Sequence, residues 1–395
     1  MTNGDRAGTA LLKPVYLAVF LDMVAFAVIL PVLPFYAMDL GGAGLWLGIL
    51  LTSYSAAKLF GATVAGRLSD RFGRKPLLIV GLVGSGVSFI LTGMAGSLVV
   101  LAIARAVAGL FGGTIATAQA YVADVTRPAE RARYMGLLGA SIGCGFIVGP
   151  GIGAALGGYG FVVVTSVAAV LALLNSLLAV FLIRETPRRR DRTRSTWSWQ
   201  DLAAQPASIV ILAAMFLTLF AFVSMETTLA FVARGEYGLD ERGFGMILVY
   251  VGVIMIIVQG GIVGRLVPRF GERRLSAVGA LLLGSSLLVL PFAQSFAVAM
   301  AFLGVLAVGQ GLVSPTLSTL LSRRTSEAMQ GGMLGLGQSV ASAARAVGPV
   351  LAGWLYDQGP SWPFILGGTT AMVAAIALVR LRSTDTVEAE IKVEV

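Results

Sequence analysis

A chain of 395 residues with 57% hydrophobic and 12% charged side chains and a mean hydropathy of +0.87 carries more apolar surface than a water-soluble fold buries, so it belongs in a bilayer. The formal net charge of +9 does not signal nucleic acid, because the basic residues fall in short loops between apolar runs and there act as a membrane-orientation signal. Histidine is absent and Cys144 is the single cysteine, which excludes an imidazole switch, a Ser-His-Asp triad and an intrachain disulfide.

In chain order, residues 1 to 14 are polar and lead into an apolar run containing Pro31 and Pro34, so a cleavable signal peptide is not expected. A hydrocarbon core about 30 Å thick needs roughly 20 apolar helical residues. The pattern predicts a dozen such helices: 15–37, 45–67, 77–96, 98–121, 133–157, 161–183, 207–232, 243–267, 275–295, 297–320, 330–355 and 362–381. Sorted by side, the loops place Arg6, Lys13, Arg67 to Lys75, Arg127, Arg131, Arg133 and Arg184 to Arg194 together, followed by Arg265 to Arg274, Arg323, Arg324, Arg380, Arg382 and Lys392. Arg234 and Arg242 are the main cations of the other side, so both termini are expected in the cytoplasm of a multi-pass cell-membrane protein.

Residues 184–206 form the longest polar stretch and carry Arg188, Arg189, Arg190, Arg192 and Arg194, a composition suited to a solvated linker near anionic headgroups. The linker divides the chain into 1–183 and 207–395, each with six predicted helices. A shift of about 198 residues lays the basic stretch Gly66 to Pro76 on Gly264 to Arg274, and a shift of 199 lays Gly149-Pro150 on Gly348-Pro349. The ordered matches predict an all-α fold of two parallel six-helix bundles, an arrangement suited to rocking around a central site. In the second copy Pro268 stands where the first has Asp70, so the acidic contact is expected to be missing there.

Within the helices, Gly145, Gly149, Gly153 and Gly157 recur every fourth residue, on one helix face that another backbone can approach closely. Pro150 removes a donor and kinks that helix. Five charges stand inside predicted spans: Asp22, Lys58, Arg105, Glu226 and Arg345. Each costs at least about 2.5–3.5 kcal/mol at the bilayer centre, so each needs a partner or a cavity. At about 1.5 Å per residue, Asp22 and Lys58 lie at matching depth, which suits either a structural ion pair or a carboxylate alternately protonated and paired, and Arg105, Glu226 and Arg345 lie nearer the outer half. A carboxylate there is a proton carrier when burial opposes its charge and a nearby cation supports it. Asp22 and Glu226 are the two candidates. Tyr54, Gln119, Tyr121, Asn175, Tyr250, Gln259 and Gln310 are candidate cavity-lining residues. No nucleotide-binding signature, metal-ligand cluster or nucleophile-base pair is apparent, so no cofactor, metal or enzymatic activity is expected.

The stretch Gly66 to Pro76 resembles the loop motif of the major facilitator superfamily, with its weaker copy at Gly264. Leu101 to Gly113, around Arg105, resembles that superfamily's fourth-helix motif, and Gly139 to Gly153 the fifth-helix motif of its drug/proton antiporters. Leu21-Asp22 followed by Ile29 to Phe35 is similar to the first helix of tetracycline and multidrug exporters. The resemblance implies a cytoplasmic latch built from Gly66, Asp70, Arg71, Gly73, Arg74 and Asp124, and a gating helix carrying Gly145, Gly149, Pro150 and Gly153. It further implies proton-coupled efflux of small amphiphiles by a monomer embedded in lipid. A dedicated metabolite or lipid carrier and a non-transporting receptor or scaffold are the alternatives.

Overall fold

A computed structural model describes residues 3–126, 128–185, 206–325 and 330–381. Arg127, the Arg188 to Arg194 cluster and the tail from Arg382 lie outside the described residues. Every regular element among those described is helical. In chain order they are α1 Asn3–Val28, α2 Leu33–Asp39, α3 Gly44–Phe72, α4 Arg74–Gly93, α5 Leu98–Phe111, α6 Thr114–Val125, α7 Pro128–Leu156, α8 Phe161–Leu182, α9 Pro206–Gly235, α10 Glu241–Ile257, α11 Val263–Val289, α12 Phe296–Arg323, α13 Gln330–Gln358 and α14 Trp362–Arg380.

Two expected spans are interrupted helices. Pro31 and Pro34 divide the first into α1 and α2, because proline offers no amide to the ladder; Leu33 N still donates to Ile29 O at 2.9 Å across the break. Gly112-Gly113 divides the fourth into α5 and α6. Ten described runs are long and apolar enough to cross a membrane. One of them, Glu241–Phe292, has 52 residues, room for two crossings about Gly271 (φ 74°). With the longer-than-span but more polar α13, this is consistent with twelve crossings.

The chain forms two compact units: Met1–Arg192 with Ala230–Gly252, and Thr193–Leu229 with Val253–Val395. In the first, α1 packs against α7 and α8, α3 against α5, and α4 against α8. Its core has one apolar cluster around Val28, Ile29, Leu101 and Val164 and another around Val15, Leu82, Tyr121 and Leu138. In the second, α11 packs against α12 and α14, with Ile211, Leu317, Leu321 and Leu378 at the centre.

Candidate functional site

The basic stretch Gly66 to Pro76 is a turn of only one residue. Its first part completes α3, Gly73 (φ 107°) reverses the chain, and Arg74 opens α4. The positive φ favours glycine, and a Cβ on Gly73 would also lie 2.7 Å from the Glu185 carboxylate. Arg74, almost fully buried, uses its whole fork: Nη2 pairs with Asp70 at 2.7 Å, Nε with Asp124 at 2.8 Å, and Nη1 donates to Ser69 Oγ at 2.5 Å. The guanidinium meets these partners with three separate nitrogens in one plane, a spread that the single nitrogen of a lysine could not reproduce. Glu185 accepts from the backbone amides of Arg74 (2.8 Å) and Lys75 (3.2 Å), so a carboxylate sits at the N-terminus of α4, where the helix field favours it. Pro76 follows and has no amide to satisfy. The Arg74–Asp124 contact was legible from the motif; Ser69 and Glu185 were missed. An acid directly after an apolar run, inside an arginine cluster, was the available signal. Arg71 stacks on Phe72 at 5.4 Å, and Gly66 faces open space.

The second unit repeats this geometry with the charges exchanged. Gly271 has positive φ, as Gly73 does, and Glu272 takes the place that the 198-residue shift assigns to Arg74. Glu272 is buried and pairs with Arg323, at the end of α12, at 3.0 Å. Loop cation and helix-end acid in the first unit thus become loop acid and helix-end cation in the second. As expected with Pro268 in its place, Asp70 has no counterpart among the described residues; the acid of the second unit, Glu272, stands instead at the position of Arg74. The Arg323 side chain is 66% exposed, and the contact lacks hydrogen-bond alignment at Glu272 Oε1. Glu272→Gln is therefore expected to change stability by less than about 1 kcal/mol. Thermal unfolding of the purified protein in detergent checks this, and a loss several times larger would mean that the pair is as tight as that of Arg74.

Two membrane-embedded cations of the first unit, Lys58 and Arg105, meet around Tyr54. Lys58 Nζ lies 5.5 Å from the Tyr54 ring centre and 5.9 Å from that of Phe26, while Arg105 Cζ lies 5.6 Å from Tyr54 on its other approach. Phe26 stacks on Tyr54 at 4.9 Å and meets Phe146 edge-on at 5.9 Å. The Gly112-Gly113 break makes room for the Lys58 stem, since a Cβ on Gly112 would fall 3.1 Å from Lys58 Cγ. Buried Asp22 feels the Lys58 charge and the Thr114 hydroxyl, although Thr114 Oγ1 makes no hydrogen bond of normal geometry. Among the described residues Asp22 forms no ion pair, so the structural pair with Lys58, one of the two expectations, is corrected to a longer-range interaction. Arg105 and Lys58 thus share the Tyr54 ring. The Arg105 Nη2 donates to Thr92 Oγ1 at 3.5 Å, and its Nε has no partner.

The glycine face of α7 packs on α1. A Cβ at Gly145 would lie 3.0 Å from Phe20 O, one at Gly149 2.9 Å from Val24 O, and one at Gly153 2.7 Å from Pro31 Cγ. Close approach to α1 and the turn after it is thus required at Gly145, Gly149 and Gly153, as the spacing predicts, whereas Gly157, in the turn after α7, faces Glu241 instead. The opposite side of α7 meets α10: a Cβ at Gly245 would lie 3.1 Å from Pro150 O. Toward the same end, Arg234 pairs with Asp39 at 2.9 Å and lies 5.7 Å from the Phe35 ring. In the second unit, Arg345 on α13 acts on Glu226 on α9 without an ion pair between them. The hydroxyls of Ser224, Thr227 and Thr228 are turned back to carbonyls of α9.

Of the cavity-lining candidates, Tyr54 joins the charge cluster. Tyr121 and Asn175 do not line a cavity: both are fully buried, Tyr121 OH donating to Arg184 O at 2.8 Å and Asn175 Nδ2 to Ala18 O at 2.7 Å. Asn175 ties α8 to α1 and Tyr121 ties α6 to the segment after α8, the ordinary use of a polar group in a membrane bundle. Gln119 and Gln259 are exposed, Gln259 in a π-turn over Val258–Ile262, and Tyr250 is half-buried. Gln310 is buried with Oε1 unpartnered.

The comparisons with known proteins agree with this anatomy. The Major Facilitator Superfamily profile matches residues 15–275 and 261–394. The chain is 30% identical to the class C tetracycline resistance protein of Escherichia coli over 375 residues, 92% of this chain and 94% of the relative. It is 27% identical to multidrug resistance protein 2 of Bacillus subtilis (strain 168) over 370 residues, 90% and 91% of the two chains. Among solved structures, an inward-facing, unoccupied bacterial homologue of the human lysosomal transporter Spinster superposes with a TM-score of 0.74 at 14% identity, covering 94% of this chain and 95% of that one. Family profile, full-length relatives and shared fold lead to one statement: this chain is a member of the major facilitator superfamily, a multi-pass membrane transporter and not an enzyme.

Proposed function

We propose that the protein is a proton-coupled secondary transporter that exports amphiphilic small molecules by alternating access, working as a monomer in the inner membrane with both termini in the cytoplasm. The observation that carries this is the set of intramembrane carboxylates, Asp22 and Glu226, each influenced by a cation of its own unit but tied to none by an ion pair. Such a carboxylate can gain and lose a proton without first breaking a tight contact. The resistance proteins among the relatives support the export direction. In this reading 1–183 and 207–395 are the rocking halves joined by 184–206, the Arg74 cluster latches the cytoplasmic side, and α7 bends at Pro150 as the gating helix. At 100 mV one inward proton supplies about 2.3 kcal/mol, roughly a fifty-fold gradient of a neutral solute.

The test is proton movement in proteoliposomes on adding tetracycline-like compounds, lipophilic cations, amphiphilic anions and lysolipids. The native protein is compared with Asp22→Asn and Glu226→Gln. Substrate-triggered proton movement lost in one variant identifies the carrier. Solute flux with no proton movement in any variant would retire proton coupling.

A further inference from the structure

The charges embedded in the two units do not balance in the same way. The second unit sets one cation, Arg345, against one carboxylate, Glu226. The first sets two cations, Lys58 and Arg105, against Asp22 alone. Among the described residues neither cation forms an ion pair: Lys58 lies over ring faces with Asp22 only at longer range, and Arg105, 2% exposed, has one long bond to Thr92 and a buried Nε without a partner. An unpaired guanidinium in a low-dielectric interior is costly, and ring faces recover only part of that cost. Both cations approach one ring, Tyr54, within 5.6 Å. Lys58 and Tyr54 are half-exposed, so an anion can reach them. Beside them Phe26, stacked on Tyr54, and Phe146, edge-on to Phe26, continue the aromatic cluster.

We propose that this cluster takes the anionic group, a carboxylate or sulfonate, of an amphiphile whose aromatic body packs against the cluster of Phe26, Tyr54 and Phe146. The inference rests on the transport reading and adds the charge of the cargo. A second anion beside Asp22 completes a two-cation, two-anion set, whereas a lipophilic cation would enter a site that already carries excess positive charge. Lys58 is the specificity residue, since without it Arg105 and Asp22 balance.

Three probes with one ring system isolate the charge: 2-naphthoate, 2-naphthamide and 2-naphthylmethylammonium, measured by equilibrium dialysis against the protein in lipid nanodiscs. The native protein is expected to bind naphthoate at least about tenfold more tightly than the amide, and the ammonium most weakly. Lys58→Met should erase the preference and Lys58→Arg retain it. Equal binding of the three, preference for the ammonium, or an anion preference that survives Lys58→Met overturns the assignment. The comparison on the native protein alone decides if the variants fail to fold. Flux of the same probes into proteoliposomes separates the two levels: ammonium-selective flux ends the anion assignment but upholds transport, and no flux of any probe counts against both.

Discussion

Arg74→Met is expected to destabilise the protein by about 3–5 kcal/mol, because it leaves an acid in the low-dielectric interior with its cation removed. The side chains of Arg74 and Asp124 are only 8% and 12% exposed, so water cannot replace the lost contact, and Ser69 Oγ loses its donor as well. Asp70 is the control. It contacts the same guanidinium but is 58% exposed, so Asp70→Asn should cost no more than about 1 kcal/mol. The double variant Arg74→Met with Asp124→Leu should recover much of the loss, since no orphan charge remains. Thermal unfolding in detergent of the single and double variants reads all three. If Arg74→Met and Asp70→Asn cost the same, the cluster is a surface feature with no buried ion pair at its centre.

Gly109→Leu is expected to prevent accumulation of folded protein. Helices α3 and α5 cross where Gly61 faces Leu110 and Gly109 faces the backbone from Tyr54 to Lys58. A Cβ on Gly109 would lie 2.8 Å from Ala57 Cβ and 3.0 Å from Lys58 N, and one on Gly61 2.9 Å from Leu110 Cα. The obstruction is largely backbone and cannot be relieved by a rotamer change. Gly109→Ala is expected to cost about 1–3 kcal/mol by overpacking. The leucine variant should fall below the level at which folded protein accumulates, seen as loss of the monodisperse peak in size-exclusion chromatography. Because the crossing sets Lys58 and Tyr54 against Arg105, the alanine variant should also weaken substrate binding. Gly66→Ala, at a position facing open space, should be neutral or gain up to about 1 kcal/mol from helix propensity. Equal tolerance of Gly109→Ala and Gly66→Ala would mean that the crossing is looser than described.

Residue type and spacing alone were enough for several features. Glycines at every fourth residue of α7 admit only a close neighbouring backbone, and α1 is that neighbour. Arg74 and Asp124 each need a counter-charge at a helix end and found one another. The 198-residue shift carried Gly73 onto Gly271, and both adopt positive φ. Apolar run lengths fixed the membrane class, because hydrocarbon leaves helices few alternatives.

Other features depended on three-dimensional neighbours. The sequence places Tyr121 and Asn175 among polar residues in membrane helices, but only packing shows that each is spent on a backbone carbonyl. It places Asp22 and Lys58 at one depth but not at one azimuth, and their ion pair is not closed. Glu185 lies 111 residues from the amide it caps, too far for any local pattern. The exchange of charge at Glu272 and Arg323 was hidden because a motif compares identities, whereas an ion pair keeps its attraction when both signs are reversed. Membrane class and the recurrence of the basic turn were therefore set by hydropathy and spacing, which act along the chain. Which charges are satisfied, and which stand ready for a proton or a cargo, was decided by tertiary contacts between helices far apart in sequence.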